Sequence, residues 1–134
     1  MEILELINNG SLQLKNNKII SHKLDSEILL SKVLNTTREK LLINLNKKIA
    51  SKEILTFHRL VDRRSSKEPM AYILKEKEFW SKSFLVSNNT LIPRPETELM
   101  VEKIVKIFSQ KDIFILDIGT GTGCILLSIL SELQ

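Results

Sequence analysis

The sequence is short of several residue types, and each shortage excludes something. Its 134 residues hold one cysteine, Cys124. A single thiol forms no internal disulfide and supplies no thiolate set for structural zinc. Glycine occurs four times, and three of these stand at 119, 121 and 123. Proline occurs three times, and Pro93 and Pro95 flank a single arginine. Aromatic residues make up 5% and do not alternate with basic ones, so no stacking platform for nucleic acid is expected. No apolar run reaches the ~18 residues of a membrane-crossing helix. Met1 to Asn9 carries Glu2 and Glu5 and no basic cluster, unlike a secretory leader, so a cytoplasmic setting is expected. His22 and His58 have no partners at ligand spacing, and no metal is expected. The length suits one domain of ~100–150 residues or two small ones, and falls short of the ~200–300 of a large α/β enzyme.

Charge is present and uneven. The net value is +4, from 20 basic and 16 acidic side chains. Residues 1–68 hold thirteen basic and eight acidic groups, whereas residues 69–134 hold seven and eight. Such an excess can help the chain meet an acidic partner or RNA by long-range attraction, although solvated helix faces produce the same count and are the commoner cause. Fifteen of the cations are lysine and five arginine, a bias away from bidentate phosphate or base recognition.

The first half reads as four short helices in a small bundle. Ile3, Leu4 and Ile7 recur at helical spacing, and Asn9-Gly10 marks an end. Asp25 is placed to cap a second helix carrying Ile28 and Leu29. Thr36 and Glu39 form a capping-box pattern before Leu41, Leu42 and Leu45. Ser51 opens a fourth helix with Ile54, Phe57 and Val61 on one stripe, ending near Ser65. Pro69, after small polar residues, marks a boundary. Phe79-Trp80, Phe84-Leu85-Val86 and Thr90-Leu91-Ile92 then read as short strands, with a hairpin turn at Asn88-Asn89. Pro95 suits the first position of a helix carrying Val101, Ile104, Val105 and Phe108, with Glu96 and Glu98 in its first turn. Residues 113–118 form an apolar run expected as a strand buried on both faces of a parallel sheet. A last apolar helix follows, from Cys124 to Leu133.

Strand, glycine loop and helix together form a ligand-binding device. Glycines allow close backbone approach and positive φ, and the helix aims its free N–H groups above the strand end. A phosphate-binding P-loop needs Lys-Ser/Thr after its last glycine, and Cys124-Ile125 stand there. The dinucleotide fingerprint needs glycine or alanine three residues after Gly121, where Cys124 stands. Asp117, at the strand end, can accept hydrogen bonds from loop N–H groups or from a ligand's ammonium group. Asp117-Ile118-Gly119-Thr120-Gly121-Thr122-Gly123 resembles the first motif of class I S-adenosylmethionine methyltransferases. The candidate cofactor residues are therefore Asp117, Gly119, Thr120, Gly121, Thr122 and Gly123.

A second set of segments is more specific. Glu68-Pro69-Met70-Ala71-Tyr72-Ile73 precedes Lys77-Glu78-Phe79-Trp80, and Ile92-Pro93-Arg94-Pro95-Glu96-Thr97-Glu98 follows. With Asp25 to Leu30, Arg63-Arg64 and Leu116 to Gly123, this order resembles the HemK-type peptide chain release factor glutamine methyltransferase family over essentially the whole chain. Lys75 stands where that family usually has glycine. The resemblance implies an α/β fold in three parts. Residues 1–68 would be a helical substrate-docking domain, 69–93 a β-hairpin linker, and 94–134 the beginning of a Rossmann-like methyltransferase domain, incomplete here. It implies methyl transfer from S-adenosyl-L-methionine to the glutamine amide of a release factor's Gly-Gly-Gln motif. It also places Arg94, Glu96, Thr97 and Glu98 as possible cleft-lining residues. The family's Asn-Pro-Pro-Tyr motif is absent, so no catalytic residue is assigned. The chain alone is expected to be inactive, a fragment that binds cofactor weakly. The expected partner is a release factor; direct nucleic acid or membrane binding is not expected, and a monomer is. Two alternatives stay open: a non-catalytic helical module binding a release factor or ribosomal component, and a related methyltransferase for another glutamine-bearing protein.

Overall fold

A computed structural model describes residues 1–109 and 111–133. The chain divides into two compact units, Met1–Leu74 and Lys75–Gln134.

The first unit is helical: α1 (Ile3–Asn16), α2 (His22–Val33), α3 (Arg38–Ile43), α4 (Ser51–Ser65) and α5 (Met70–Leu74). Leu6, Leu14, Leu29, Leu30, Phe57 and Val61 are fully buried at its centre. At the usual yield for burying large apolar side chains, about 1.5–3 kcal/mol each, this core dominates the unit's stability. Contrary to the sequence expectation, α1 does not end at Gly10 but continues for two further turns. Gly10 is instead a crossing point. A Cβ there would lie 2.7 Å from both Phe57 Cζ and Ser26 Oγ, so only hydrogen lets α4 and α2 come this close. Ser26 is itself buried and donates to the Ile7 carbonyl at 2.8 Å. Helix α5 is a second departure. Residues 69–74 fall in the expected linker, yet Ala71 and Ile73 are buried and Ile73 belongs to the helical core.

Asp25 does not cap α2. It lies in the first turn, buried, where it accepts from Ser21 Oγ at 2.9 Å and from Arg64 Nε at 2.7 Å. Arg64 also donates to the Glu68 carbonyl, which ties the end of α4 to the start of α2. The cap of α3 is Thr37 rather than Thr36, with Lys40 N–H donating to Thr37 Oγ1 at 3.3 Å. Helix α4 begins after Ala50, whose N–H donates to the Glu53 carboxylate at 3.1 Å.

Helices α1, α2 and α4 end by one device. Lys18, Asn35 and Lys67 each adopt left-handed backbone, with φ of 61°, 47° and 65°. Each donates back to the carbonyl three residues earlier, and the next residue donates to the carbonyl five earlier, as Ile19 does to Leu14. Glycine usually fills this position, and this chain places lysine and asparagine there instead.

In the second unit, β1 (Glu76–Phe79) and β2 (Lys82–Leu85) form an antiparallel hairpin, pairing Glu76 with Leu85 and Phe79 with Lys82. The hairpin was expected further along, around Asn88-Asn89. That dipeptide does turn, with Thr90 N–H donating to the Ser87 carbonyl, but 90–92 forms no strand. The real hairpin turn is Trp80-Ser81, both at positive φ, 52° and 56°. A bulky residue in that region is strained. Two distant carboxylates hold it: Trp80 N–H donates to Glu98 and Trp80 Nε1 to Glu132, each at 2.8 Å. Lys75, before β1, sits at φ 62°, so the turn forms with lysine in a glycine position.

A 3-10 turn (Pro95–Thr97) leads into α6 (Glu98–Phe108), and α7 (Cys124–Glu132) closes the unit. Phe79, Phe84, Val101, Cys124 and Ile129 form a small core. Residues 113–118 contradict the expectation of a strand buried on both faces. They carry no strand pairing, and exposure alternates: Ile113, Ile115 and Asp117 are half-buried while Phe114, Leu116 and Ile118 are exposed. A parallel strand requires a neighbour at its hydrogen-bonding edge. Among the described residues β1 and β2 are the only strands, and they pair with each other.

Candidate functional site

The alternation of 113–118 sets the position of Asp117. It falls on the inward side with Ile113 and Ile115, and Ile115 packs on the small core. Its Oδ2 is buried and has no hydrogen-bond partner among the described residues. A buried polar oxygen without a partner costs free energy until a donor reaches it.

Directly after it the backbone turns three times through the left-handed region, at Gly119 (φ 80°), Gly121 (58°) and Gly123 (76°). The sequence pattern anticipated this use of glycine. The space beside the first two is open. A Cβ at Gly119 would meet nothing within 4 Å, and one at Gly121 only the Gly119 carbonyl at 3.8 Å. The threonines between them fasten the loop to itself. Thr120 Oγ1 donates to the Asp117 carbonyl at 3.2 Å, and Cys124 N–H donates to Thr122 Oγ1 at 3.4 Å. Gly123 N–H donates to the Thr120 carbonyl at 2.9 Å. Gly123 precedes α7 and provides no side-chain cap, so the helix start faces the loop with backbone donors. Cys124 is buried in the core beneath, as a small packing residue.

The loop therefore offers a buried acceptor, exposed backbone and a helix N-terminus within a few residues. That set fits a ligand bearing an ammonium group beside polar oxygens. Asp117 would take the cation and the backbone N–H groups the oxygens.

The 94–98 segment behaves differently. Arg94 is extended and precedes the 3-10 turn, with Pro95 at its first position as expected. Glu98 is committed to the Trp80 N–H and so holds the hairpin turn. Among the described residues, no hydrogen bond or ion pair joins the Arg94, Glu96 or Thr97 side chains to the glycine loop. The part played by Glu98 and Glu132 was not readable in sequence, since residues 80, 98 and 132 share no local pattern. His22 is held by Ser11 at 2.8 Å, and no group of three potential metal ligands exists among the described residues. No described helix is long and apolar enough to cross a membrane.

Comparison with known families matches residues 5–74 to the PrmC N-terminal domain. The chain belongs to this family. The match ends at Leu74, where the first compact unit also ends. The chain is 42% identical over 133 residues to a protein of Buchnera aphidicola subsp. Baizongia pistaciae named release factor glutamine methyltransferase, covering 98% of this chain and 48% of that one. It is 44% identical over 125 residues to the Haemophilus influenzae protein of the same name, covering 89% and 43%. A Rickettsia typhi protein named bifunctional methyltransferase is 36% identical over 150 residues, covering 98% of this chain and 29% of its own length. The chain thus spans about half the length, or less, of the relatives it matches.

Proposed function

We propose that this chain supplies the substrate-docking domain and methyl-donor loop of an S-adenosyl-L-methionine-dependent methyltransferase. Its substrate is the glutamine side-chain amide in the Gly-Gly-Gln motif of a peptide chain release factor. The observation that carries the reading is the orphaned Asp117 carboxylate oxygen beside three left-handed glycines at the start of α7. In this reading Asp117 accepts the donor's ammonium group. The backbone of Gly119, Thr120 and Gly121 lies against the donor, where any side chain at the glycines would intrude. Bound S-adenosyl-L-methionine supplies an electrophilic methyl group on a sulfonium. An amide nitrogen is a weak nucleophile, since its lone pair is shared with the carbonyl, so positioning is the main demand on the protein. The helical unit meets part of that demand by holding the protein substrate. The 1–68, 69–93 and 94–134 division is kept as a functional scheme, with the first boundary moved to Leu74. Arg94, Glu96 and Thr97 are retained as cleft-lining residues, and Glu98 is reassigned to the hairpin.

A chimera tests this. Residues 1–134 replace the matching part of the Haemophilus influenzae relative, and methyl transfer from labelled S-adenosyl-L-methionine to purified release factor is counted. Label is expected in the release factor and lost when its Gly-Gly-Gln glutamine is replaced. A chimera that binds the donor but leaves the release factor unlabelled would contradict the reading.

A further inference from the structure

The hairpin turn and the last residue of α7 each break a local rule, and the two breaks meet. Trp80-Ser81 is a two-residue turn with both residues at positive φ, a geometry that favours Asn-Gly and strains a bulky side chain. Glu132 ends α7, where the helix dipole disfavours a carboxylate, and no basic residue stands in that last turn. Trp80 Nε1 donates to Glu132 Oε1 at 2.8 Å. The Trp80 N–H donates at the same distance to Glu98 Oε1, on the first residue of α6. One turn residue therefore joins the hairpin, α6 and α7.

The indole bond has a particular place in how α7 is held. Cys124 and Ile129 set the helix sideways into the small core with Phe79, Phe84 and Val101. Apolar contact is non-directional, so it holds α7 against the core more firmly than it fixes the helix along its own axis. Ser128, one turn from Cys124 on the same face, is fully buried, and its Oγ has no partner among the described residues. At the other end, the hydrogen bonds of the glycine loop run within residues 117–124. Among the described residues, Trp80 to Glu132 is the one hydrogen bond between α7 and another element.

We propose that Trp80 and Glu132 are positioning residues for the glycine loop. Their bond fixes α7 along its axis, and α7 carries Gly123 and the loop backbone at its far end, about 12 Å away at the usual helical rise. Glu98 supports the pair by holding the Trp80 backbone in the strained turn, which keeps the indole within reach of Glu132. The unfavourable places of Trp80 and Glu132 are then explained together, since neither suits its own element and each serves the other. The inference rests on the proposed function only for which ligand the loop receives.

Cys124, the only thiol, is buried at the loop end of α7 and reports its position without any ligand. Its alkylation by iodoacetamide is followed by mass spectrometry on the full 134-residue chain. Glu132→Ala is expected to speed the reaction about three- to ten-fold, the range for losing one hydrogen bond. Helix stability alone predicts the opposite, since alanine is the better helix former and the disfavoured charge is gone. Trp80→Phe should match Glu132→Ala, and the double variant should react no faster than either. Glu132→Gln keeps an acceptor and should stay within about two-fold of the parent. In the chimera, Glu132→Ala should weaken S-adenosyl-L-methionine binding by about three- to ten-fold. The proposal is overturned if Glu132→Ala leaves the thiol rate unchanged, if the two single effects add, or if Glu132→Gln reacts as fast as Glu132→Ala. It is also overturned if the faster rate climbs steeply in dilute urea, the mark of whole-unit unfolding, or if it comes with unchanged donor affinity. A chimera that binds no donor contradicts the proposed function instead, and the thiol rates still decide this inference.

Discussion

In the helical unit, Leu6, Leu14, Leu29, Leu30, Phe57 and Val61 are all closed to water, whereas in the second unit Phe114, Leu116 and Ile118 stand fully outside. Both regions have apolar sequence, so hydrophobicity does not separate them. Hydrogen bonding does. A helix satisfies its own backbone and needs only a neighbour for its apolar stripe, and α1, α2 and α4 supply one another. A strand must find its backbone partners elsewhere in the chain, and 113–118 has none among the described residues. The difference also bears on function. The helical unit is self-contained, while the segment that carries Asp117 holds an unpaired acceptor on one face and uncovered apolar groups on the other.

The largest expected effect breaks that comparison most bluntly. Phe57→Ala should cost about 3–5 kcal/mol in chemical denaturation, because it opens a cavity in a closed core. Phe114→Ala, at a fully exposed position, should change stability by no more than about 0.5 kcal/mol. Equal losses would mean that 113–118 is packed after all.

A second contrast lies within the helical unit. Arg64→Ala strands the buried Asp25 carboxylate and should cost about 3 kcal/mol. Arg63→Ala removes a more exposed pair with Glu68 and should cost at most about 1 kcal/mol. The Arg63 guanidinium holds the Glu68 carboxyl below its ordinary 4.5, chiefly through their hydrogen bonds. That contribution is complete above pH 4.5 and disappears as pH falls through the lower folded value. Glu68→Gln should therefore flatten the acid limb of the stability profile by lowering the neutral value by at most about 1 kcal/mol while leaving the low-pH value nearly unchanged.

A smaller effect sharpens the account of helix ends. Lys67→Gly replaces a left-handed lysine by the residue that position favours, and should stabilise by about 0.5 kcal/mol after the unfolded-state entropy of glycine is counted. Thermal denaturation reads this directly, and a loss of stability would show that the Lys67 side chain contributes more than its backbone strain costs.

Elements set by local periodicity were legible in the sequence. The stripe of Phe57 and Val61, the start at Pro95 and the left-handed glycines at 119, 121 and 123 all appear as expected. Features set by distant partners were not. Gly10 reads as a helix end, and only the approach of Phe57 and Ser26 explains it inside one. Asn88-Asn89 is a better hairpin turn by composition than Trp80-Ser81, yet Glu98 and Glu132 decide the matter from far along the chain. The glycine loop was visible because its motif is contiguous.

The most direct test is Asp117→Asn, measured both by donor titration and by denaturation. In the chimera it should weaken S-adenosyl-L-methionine binding by about ten- to a hundred-fold, the range of a lost hydrogen bond to a charged group. Without donor it should change stability by no more than about 1 kcal/mol, since Asp117 is half-buried and only its Oδ2 is closed off without a partner. Unchanged donor affinity, or a loss of stability with affinity intact, would contradict the assignment of Asp117 as the residue that holds the methyl donor.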